Sequence, residues 1–311
     1  MFYIVTKLNK TMHNLKANFD KILNIAKHFF DATNEDGNFQ NYRRKPKMSD
    51  IEIISLSVTS EAISIDSENR LFAILKAEYK TDFQNLIDRS NYNRRRKRLC
   101  FMIEKLSKNI AEKISAGEDF YIVDSIPIPV CKIVREKRSK ICRESFETSP
   151  GKGFSAVSQS YIFGYKLHLV TTINGIYYSM DFTKAGVHDI HYLNDVKNST
   201  LNNCTLIGDK GYLSSQMQID LFHECKIKLV TPMRKNQKEK ITWQPVFRKN
   251  RKRIETLFSQ LCDQFHLKTN YAKSFVGLST RIVSKIAAVT CLQYLNFLNN
   301  KSLNHLKFAL A

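Results

Sequence analysis

The chain has 311 residues, with 49 Lys and Arg against 29 Asp and Glu, and a formal charge of +20. Its 43% apolar and 25% charged residues suffice for a core, which excludes a wholly disordered chain, and 10 Gly with 6 Pro exclude a collagen-like or low-complexity one. A cationic surplus this large calls for a polyanionic partner, most often nucleic acid, and it is uneven: residues 1–120 carry 21 basic and 16 acidic side chains, residues 121–311 carry 28 and 13.

The N-terminus turns polar at Thr6 and Lys7, too soon for the apolar core of a signal peptide. An amphipathic helix is expected over Leu15, Phe19, Ile22 and Leu23, then a polar linker over residues 31–47. Ser49 and Glu52 form a capping box ahead of an apolar run, so a helix begins there. Another opens at Asp66 to Asn69, and a third, with a basic start at Arg94, Arg95, Arg96, Lys97 and Arg98, runs through Leu99 to Ile110.

The periodicity changes after Gly117. Tyr121, Ile122 and Val123 read as a buried strand ending on Asp124 and stopped by Pro127 and Pro129, with a second strand over 130–134. Residues 135–160 read as a polar loop. Residues 161–172 and 176–182 form a hairpin about Asn174 and Gly175, the favoured turn pair. A helix is expected from Asp189, a strand over Thr205 to Ile207 ending at Gly208 and Asp209, a helix over 214–225 and a strand over 228–230. The chain from Val246 onward reads as helical. Its most apolar stretch, 282–298, is interrupted by Lys285, Gln293 and Asn296, so a membrane span is not expected. That helix is expected to pack on the sheet. Seven scattered cysteines without a Cys-x-x-Cys pair suit free thiols in a reducing cytoplasm.

The element order gives an α/β fold, a mixed sheet with flanking helices behind a mostly helical N-terminal region. The expected divisions are 1–117, 118–300 and a tail over 301–311. Asp124 and Asp209 close strands, and Glu255 lies on the edge of a helical stripe of Ile254, Leu257, Phe258 and Leu261. Strand ends along one sheet edge are where α/β proteins gather ligand groups. Carboxylates gathered there repel one another unless a divalent cation neutralises them, and oxygen-only ligands favour Mg²⁺ or Mn²⁺. Two such ions suit phosphodiester chemistry, and the surrounding positive charge suits a DNA backbone.

Five segments in order carry a resemblance: 120–125, Phe163 to His168, Gly186 to Asp189, Gly208 to Tyr212, and Arg251 to Phe258. Together with Met48 to Glu52 and Ile65 to Asn69 they resemble bacterial DDE transposases, most closely the insertion-sequence 982 family. The resemblance covers roughly residues 45–300. It implies a ribonuclease-H-like catalytic core, Mg²⁺-dependent cleavage at transposon ends with strand transfer into target DNA, and metal binding by Asp124, Asp209 and Glu255. It also implies double-stranded DNA as partner, self-association when two ends are held, and a bacterial cytoplasmic, nucleoid-associated setting. A wider group of related transposases carries Tyr-x2-Arg-x3-Glu-x6-Lys; Arg251 and Glu255 match it, whereas Arg248 and Cys262 occupy the Tyr and Lys positions. The competing functions are a catalytically silent DNA-binding protein derived from a transposase, and a plain nuclease of the same fold.

The expected DNA contacts are Arg94, Arg95, Arg96 and Arg98 for end recognition, and Arg135, Arg138 and Arg143 in the polar loop, with Lys137 and Lys140 beside them. Lys210, Arg248 and Arg251 flank the acids, and Lys166 shares a strand face, read as solvent-facing, with His168. Asp189 is expected to cap its helix rather than ligate a metal. Trp243, the only Trp, is a weaker candidate for base stacking.

Overall fold

A computed structural model describes residues 14–30, 36–155, 158–233 and 244–311; Trp243 and part of the expected linker lie outside them. In chain order the elements are α1 (Leu15–Phe29), α2 (Asp50–Ala62), α3 (Glu68–Glu78), α4 (Arg89–Arg98), α5 (Cys100–Ile114), β1 (Phe120–Cys131), β2 (Gly151–Ser155), β3 (Ser160–Thr172), β4 (Tyr177–Lys184), α6 (Tyr192–Lys197), β5 (Thr205–Ile207), α7 (Ser215–Cys225), β6 (Lys228–Val230), α8 (Pro245–Asp263) and α9 (Phe275–Leu298). They form two compact units, one comprising Met1–Ile110, Gln264–Tyr271 and Ser279–Ala311, the other Ala111–Asp263 and Ala272–Leu278.

The first unit is helical. The capping box starts α2 as expected: the Ser49 amide donates to Glu52 at 2.6 Å and the Glu52 amide to Ser49 Oγ at 3.3 Å. Helix α2 is buried on nearly every side, so its acid Glu61, 2% exposed, needs partners inside the protein. Lys285 of α9 donates to Glu61 through Nζ, and Arg96 of α4 donates to Glu61 and Glu68, each at 3.2 Å. These contacts correct two expectations. From Ser279 onward α9 belongs with the N-terminal helices and not on the sheet, because Lys285 needs Glu61. Arg96 is a core residue and withdrawn from DNA, and Arg95 is committed to Asp50 at 2.6 Å and to the Met48 carbonyl; Arg94 and Arg98 remain exposed. By length and composition α9 is apolar enough to cross a membrane, but 83% of that stretch is buried inside the protein, as in a core helix.

The second unit is built on one mixed sheet. Strand β3 is flanked on one edge by β2 along its first half and β4 along its second, both antiparallel; beyond it come β1, then β5 and β6 parallel to β1. Antiparallel strands on one side, parallel strands on the other and helices alongside are the ribonuclease-H-like arrangement expected above. Gly175, at φ +77°, closes the β3–β4 hairpin in the left-handed region that its turn requires.

Two strand expectations are corrected. Strand β1 does not stop at Pro127 but runs to Cys131, pairing Pro127 with Lys166 and Pro129 with Gly164. The prolines are two residues apart, so both missing N–H groups face the edge where the β5 ladder has already ended at Ile122. The expected second strand over 130–134 is instead the last two residues of β1 followed by a 3-10 turn over Ile133–Arg138. The polar loop also hides β2, whose Gly153 lies so near the following segment that a Cβ would sit 2.0 Å from the Ala185 carbonyl oxygen. On one face the sheet packs Val123, Val170 and Leu206 against Tyr192, Leu193, Tyr212 and Leu221.

Candidate active site

The β1–β5 ladder fixes the first two acids. Ile122 pairs with Ile207 in parallel register, so Asp124 and Asp209 each lie two residues beyond that pair, level with one another. Side chains alternate along β1, so Val123 and Ser125 share the face of Val170 and His168, while Asp124 takes the other face opposite Leu169. Its carboxylate is 17% exposed and accepts from the Ser125 amide at 2.8 Å. Burial first, then the Asp209 charge, pushes Asp124 up to about 7; the Ser125 amide and the Arg251 charge act the other way, and Asp189 adds to the rise. Asp209 caps the 3-10 turn Lys210–Tyr212, accepting from the Gly211 amide at 2.7 Å.

The third acid comes from α8, which buries Ile254, Leu257, Phe258 and Leu261 and leaves Glu255 half exposed beside that stripe. Arg251, one turn earlier, joins the two elements: its Nη2 lies 2.6 Å from Glu255 and its Nη1 lies 3.9 Å from Asp124. A guanidinium therefore stands between the carboxylates. Among the described residues no three His, Cys, Asp or Glu side chains stand close enough to hold a metal ion.

A fourth acid approaches from the opposite face of β1. Asp189 does not cap its helix; His188 does, its ring Nδ1 accepting from the Ile190 amide at 3.3 Å. The Asp189 carboxylate instead receives Lys166 Nζ at 2.9 Å and Ser125 Oγ at 3.1 Å. It also comes as near to Gly211 as Asp209 does: a Cβ there would meet Asp209 Oδ1 at 2.9 Å and Asp189 Oδ2 at 3.0 Å. The hint available in the sequence was Lys166, a lone cation alternating with apolar residues that needed an anion. His168 corrects the idea of a solvent-facing strand. It is fully buried, bonded to Thr183 at 2.8 Å and Tyr212 at 3.2 Å and stacked on Tyr192, and burial pushes its pKa down to about 4.

Of the expected DNA contacts in this unit, Lys210 and Arg248 are exposed near the acids in sequence, and Arg135 and Arg138 are exposed on the 3-10 turn. Arg143 is exposed with its guanidinium 5.3 Å from the Phe163 ring centroid. Lys166 is half-buried, held by Asp189 and the Val187 carbonyl.

Residues 113–274, just over half of the chain, match the family described as "Transposase DDE domain", and Asp124, Asp209 and Glu255 all fall within them. The chain belongs to the DDE transposases. No curated protein and no solved structure matches it. Transposases with this domain generally use divalent metal ions. Asp124 and Asp209 are a donor set of the right kind for such an ion, two carboxylates held level on adjacent strands β1 and β5, with the Asp209 charge adding to the cost of ionising Asp124. Glu255 could join that set only if Arg251 released it.

Proposed function

We propose that this transposase cleaves DNA at the ends of its element and joins them to target DNA, using Mg²⁺ or Mn²⁺ held by Asp124, Asp209 and Glu255. The observation that carries the reading is the parallel register that sets Asp124 level with Asp209, with Glu255 tethered to Asp124 through Arg251. Bound divalent ions supply activation of the attacking oxygen and stabilisation of the leaving oxygen of a phosphodiester. The chain's own groups prepare the place. Arg251 neutralises Asp124 and Glu255 in the metal-free protein and is free to turn to a phosphate once they are engaged. Lys166 and Ser125 fix Asp189 behind β1 and so brace the Gly211 turn that orients Asp209. Exposed Arg135, Arg138, Lys210 and Arg248 bind the backbone, and the net charge of this half of the chain favours it.

Recognition of the element's ends falls to the helices before residue 118, with exposed Arg94 and Arg98 as cations for the backbone. Affiliation with the insertion-sequence 982 branch, a dimeric DNA-bound form and a bacterial cytoplasmic, nucleoid-associated setting belong to the same proposal.

The test is cleavage of DNA carrying the element's ends in the presence of Mg²⁺. Asp124→Asn, Asp209→Asn and Glu255→Gln should each abolish strand cutting while Asp124→Asn leaves metal-free stability no lower, since a carboxyl with a raised pKa is costly to ionise in the fold. Cutting retained in all three variants refutes the triad. End binding without cutting would identify a silent DNA-binding derivative, and cutting without joining a plain nuclease.

A further inference from the structure

One face of the β2–β3 ribbon alternates cations and aromatic rings; Phe163 and Tyr165 are buried on it, and Phe154 and Tyr161 are the rings it exposes. Cross-strand partners share a face of a sheet, and so do residues two apart along a strand. The pairs Phe154 with Tyr161, Lys152 with Phe163, and Lys184 of β4 with Tyr165 therefore follow one another along a single face of β3. Phe154 is 52% and Tyr161 57% exposed, and their rings meet edge to face at 5.3 Å. Lys152 Nζ lies 4.9 Å from the Tyr161 ring centroid, Arg143 lies over Phe163, and Lys184 Nζ lies 4.8 Å from the ring of Phe146, which is 89% exposed.

The ribbon also projects. β1 ends at Cys131, opposite Phe163, so Tyr161 and Phe154 stand on two strands alone, beyond the rest of the sheet. Their face is the one that carries Asp124, which pairs with Leu169, eight residues and about 26 Å along β3 from Tyr161.

Large exposed rings on a protein surface want a flat apolar partner, and these are flanked by ammonium and guanidinium groups that want phosphate. Duplex DNA offers phosphates, but its base faces are already stacked on one another. Unpaired nucleotides offer both, since every base has a free face and every linkage a charge. We propose that the β2–β3 ribbon is a platform for unpaired nucleotides, on which Phe154 and Tyr161 stack bases while Lys152 and Arg143 hold the phosphates between them. This rests on the reading of the chain as a protein that acts on DNA, and extends it: a strand frayed or released at the acids is gripped at the exposed tip of the ribbon, since Phe163, Tyr165 and Leu167 on the stretch between are buried.

The experiment measures binding of the full chain to a labelled oligothymidylate of about 12 nucleotides and to a mixed-sequence duplex of the same length, by fluorescence anisotropy across a salt series. Phe154→Ala with Tyr161→Ala should weaken oligothymidylate binding at least about tenfold, leave duplex binding within about twofold, and leave the salt slope unchanged. Lys152→Ala should instead flatten the single-strand salt slope by about 0.7. Phe154→Trp with Tyr161→Phe, which keeps both stacking surfaces, should bind as the native chain does. Both aromatic positions are exposed, and unchanged circular dichroism of the alanine variant confirms that its fold is intact. Equal oligothymidylate affinity in the native chain and the alanine variant overturns the platform, as does duplex binding by a native chain that ignores oligothymidylate. Binding to neither probe would instead defeat the reading of the chain as a DNA-acting protein.

Discussion

Arg251→Ala separates the contact that the structure shows for this guanidinium, shielding the acids, from the DNA contact proposed for it. Before a cation can bridge Asp124 and Glu255, Arg251 must leave both. Its contact with Glu255 at 2.6 Å involves groups 29% and 49% exposed, so solvent reduces it to about 0.5 kcal/mol, typical of a surface i,i+4 pair. Its 3.9 Å approach to Asp124, which is only 17% exposed, is worth somewhat more, about 1 kcal/mol after the same screening. Removing both gives about 1–2 kcal/mol, hence Mn²⁺ binding tightened by about 5- to 30-fold in the protein alone. Titration of Mn²⁺ followed by electron paramagnetic resonance reads this without any turnover, and Arg251→Lys, which keeps a cation, should recover most of the native affinity. Cleavage of end-bearing DNA by the alanine variant should fall nonetheless, because the proposed function gives the same group to the phosphate. Mn²⁺ affinity unchanged or weakened in Arg251→Ala would show that the guanidinium does not compete for the carboxylates, and the shielding argument would be abandoned.

Three further outcomes concern stability. His168 is buried and its pKa is lowered from 6.5 to about 4, so the unfolded chain takes up a proton that the native state refuses; stability should fall as pH drops from about 6.5 to 4, by about 3 kcal/mol, and His168→Gln should lose that part of the slope in urea titrations. Glu61→Gln leaves Lys285 buried without its counter-charge and Arg96 with Glu68 alone, and should cost about 3–5 kcal/mol in chemical denaturation, whereas adding Lys285→Met should restore part of the loss. Gly153→Ala drives a methyl to 2.0 Å from the Ala185 carbonyl and should cost about 1–3 kcal/mol, with loss of the oligothymidylate affinity assigned to the ribbon; a Tm equal to that of the native chain would contradict the close approach.

What could be foreseen from the residues divides by the range of the interaction. The capping box at Ser49 and Glu52, the Asn174–Gly175 turn and the strand end just before Asp209 are local: a few consecutive residues carry the whole instruction, and the structure follows it. Strand β2 was invisible because Gly151 and Gly153 have no apolar alternation to display; what makes the segment a strand is its pairing with residues 160–164 and the room that Gly153 leaves for the backbone at Ala185. The prolines of β1 misled for a related reason, since a missing N–H stops a strand only if a neighbour needs it, and β5 ends before they begin.

Charged residues were the least legible, and the cause is the same in each case: a charge run looks solvated until its counter-ion is found. Arg96 reads as one of five consecutive cations, yet its partner Glu61 lies 35 residues away, and the Lys285 that shares Glu61 lies 224 residues away. Asp189 reads as a cap because capping is the short-range use of an Asp, while the partners that claim it, Lys166 and Ser125, are brought by two different strands. Arg251 and Glu255 show the converse. Their spacing announces the pair, and only the approach of Arg251 to Asp124 on a separate element turns an ordinary helix contact into a link between the two halves of the candidate site. The acids on which the proposed chemistry depends are therefore readable as residues, but their electrostatic state is a tertiary property. A variant series at this site is informative only when metal affinity and stability are measured beside cleavage.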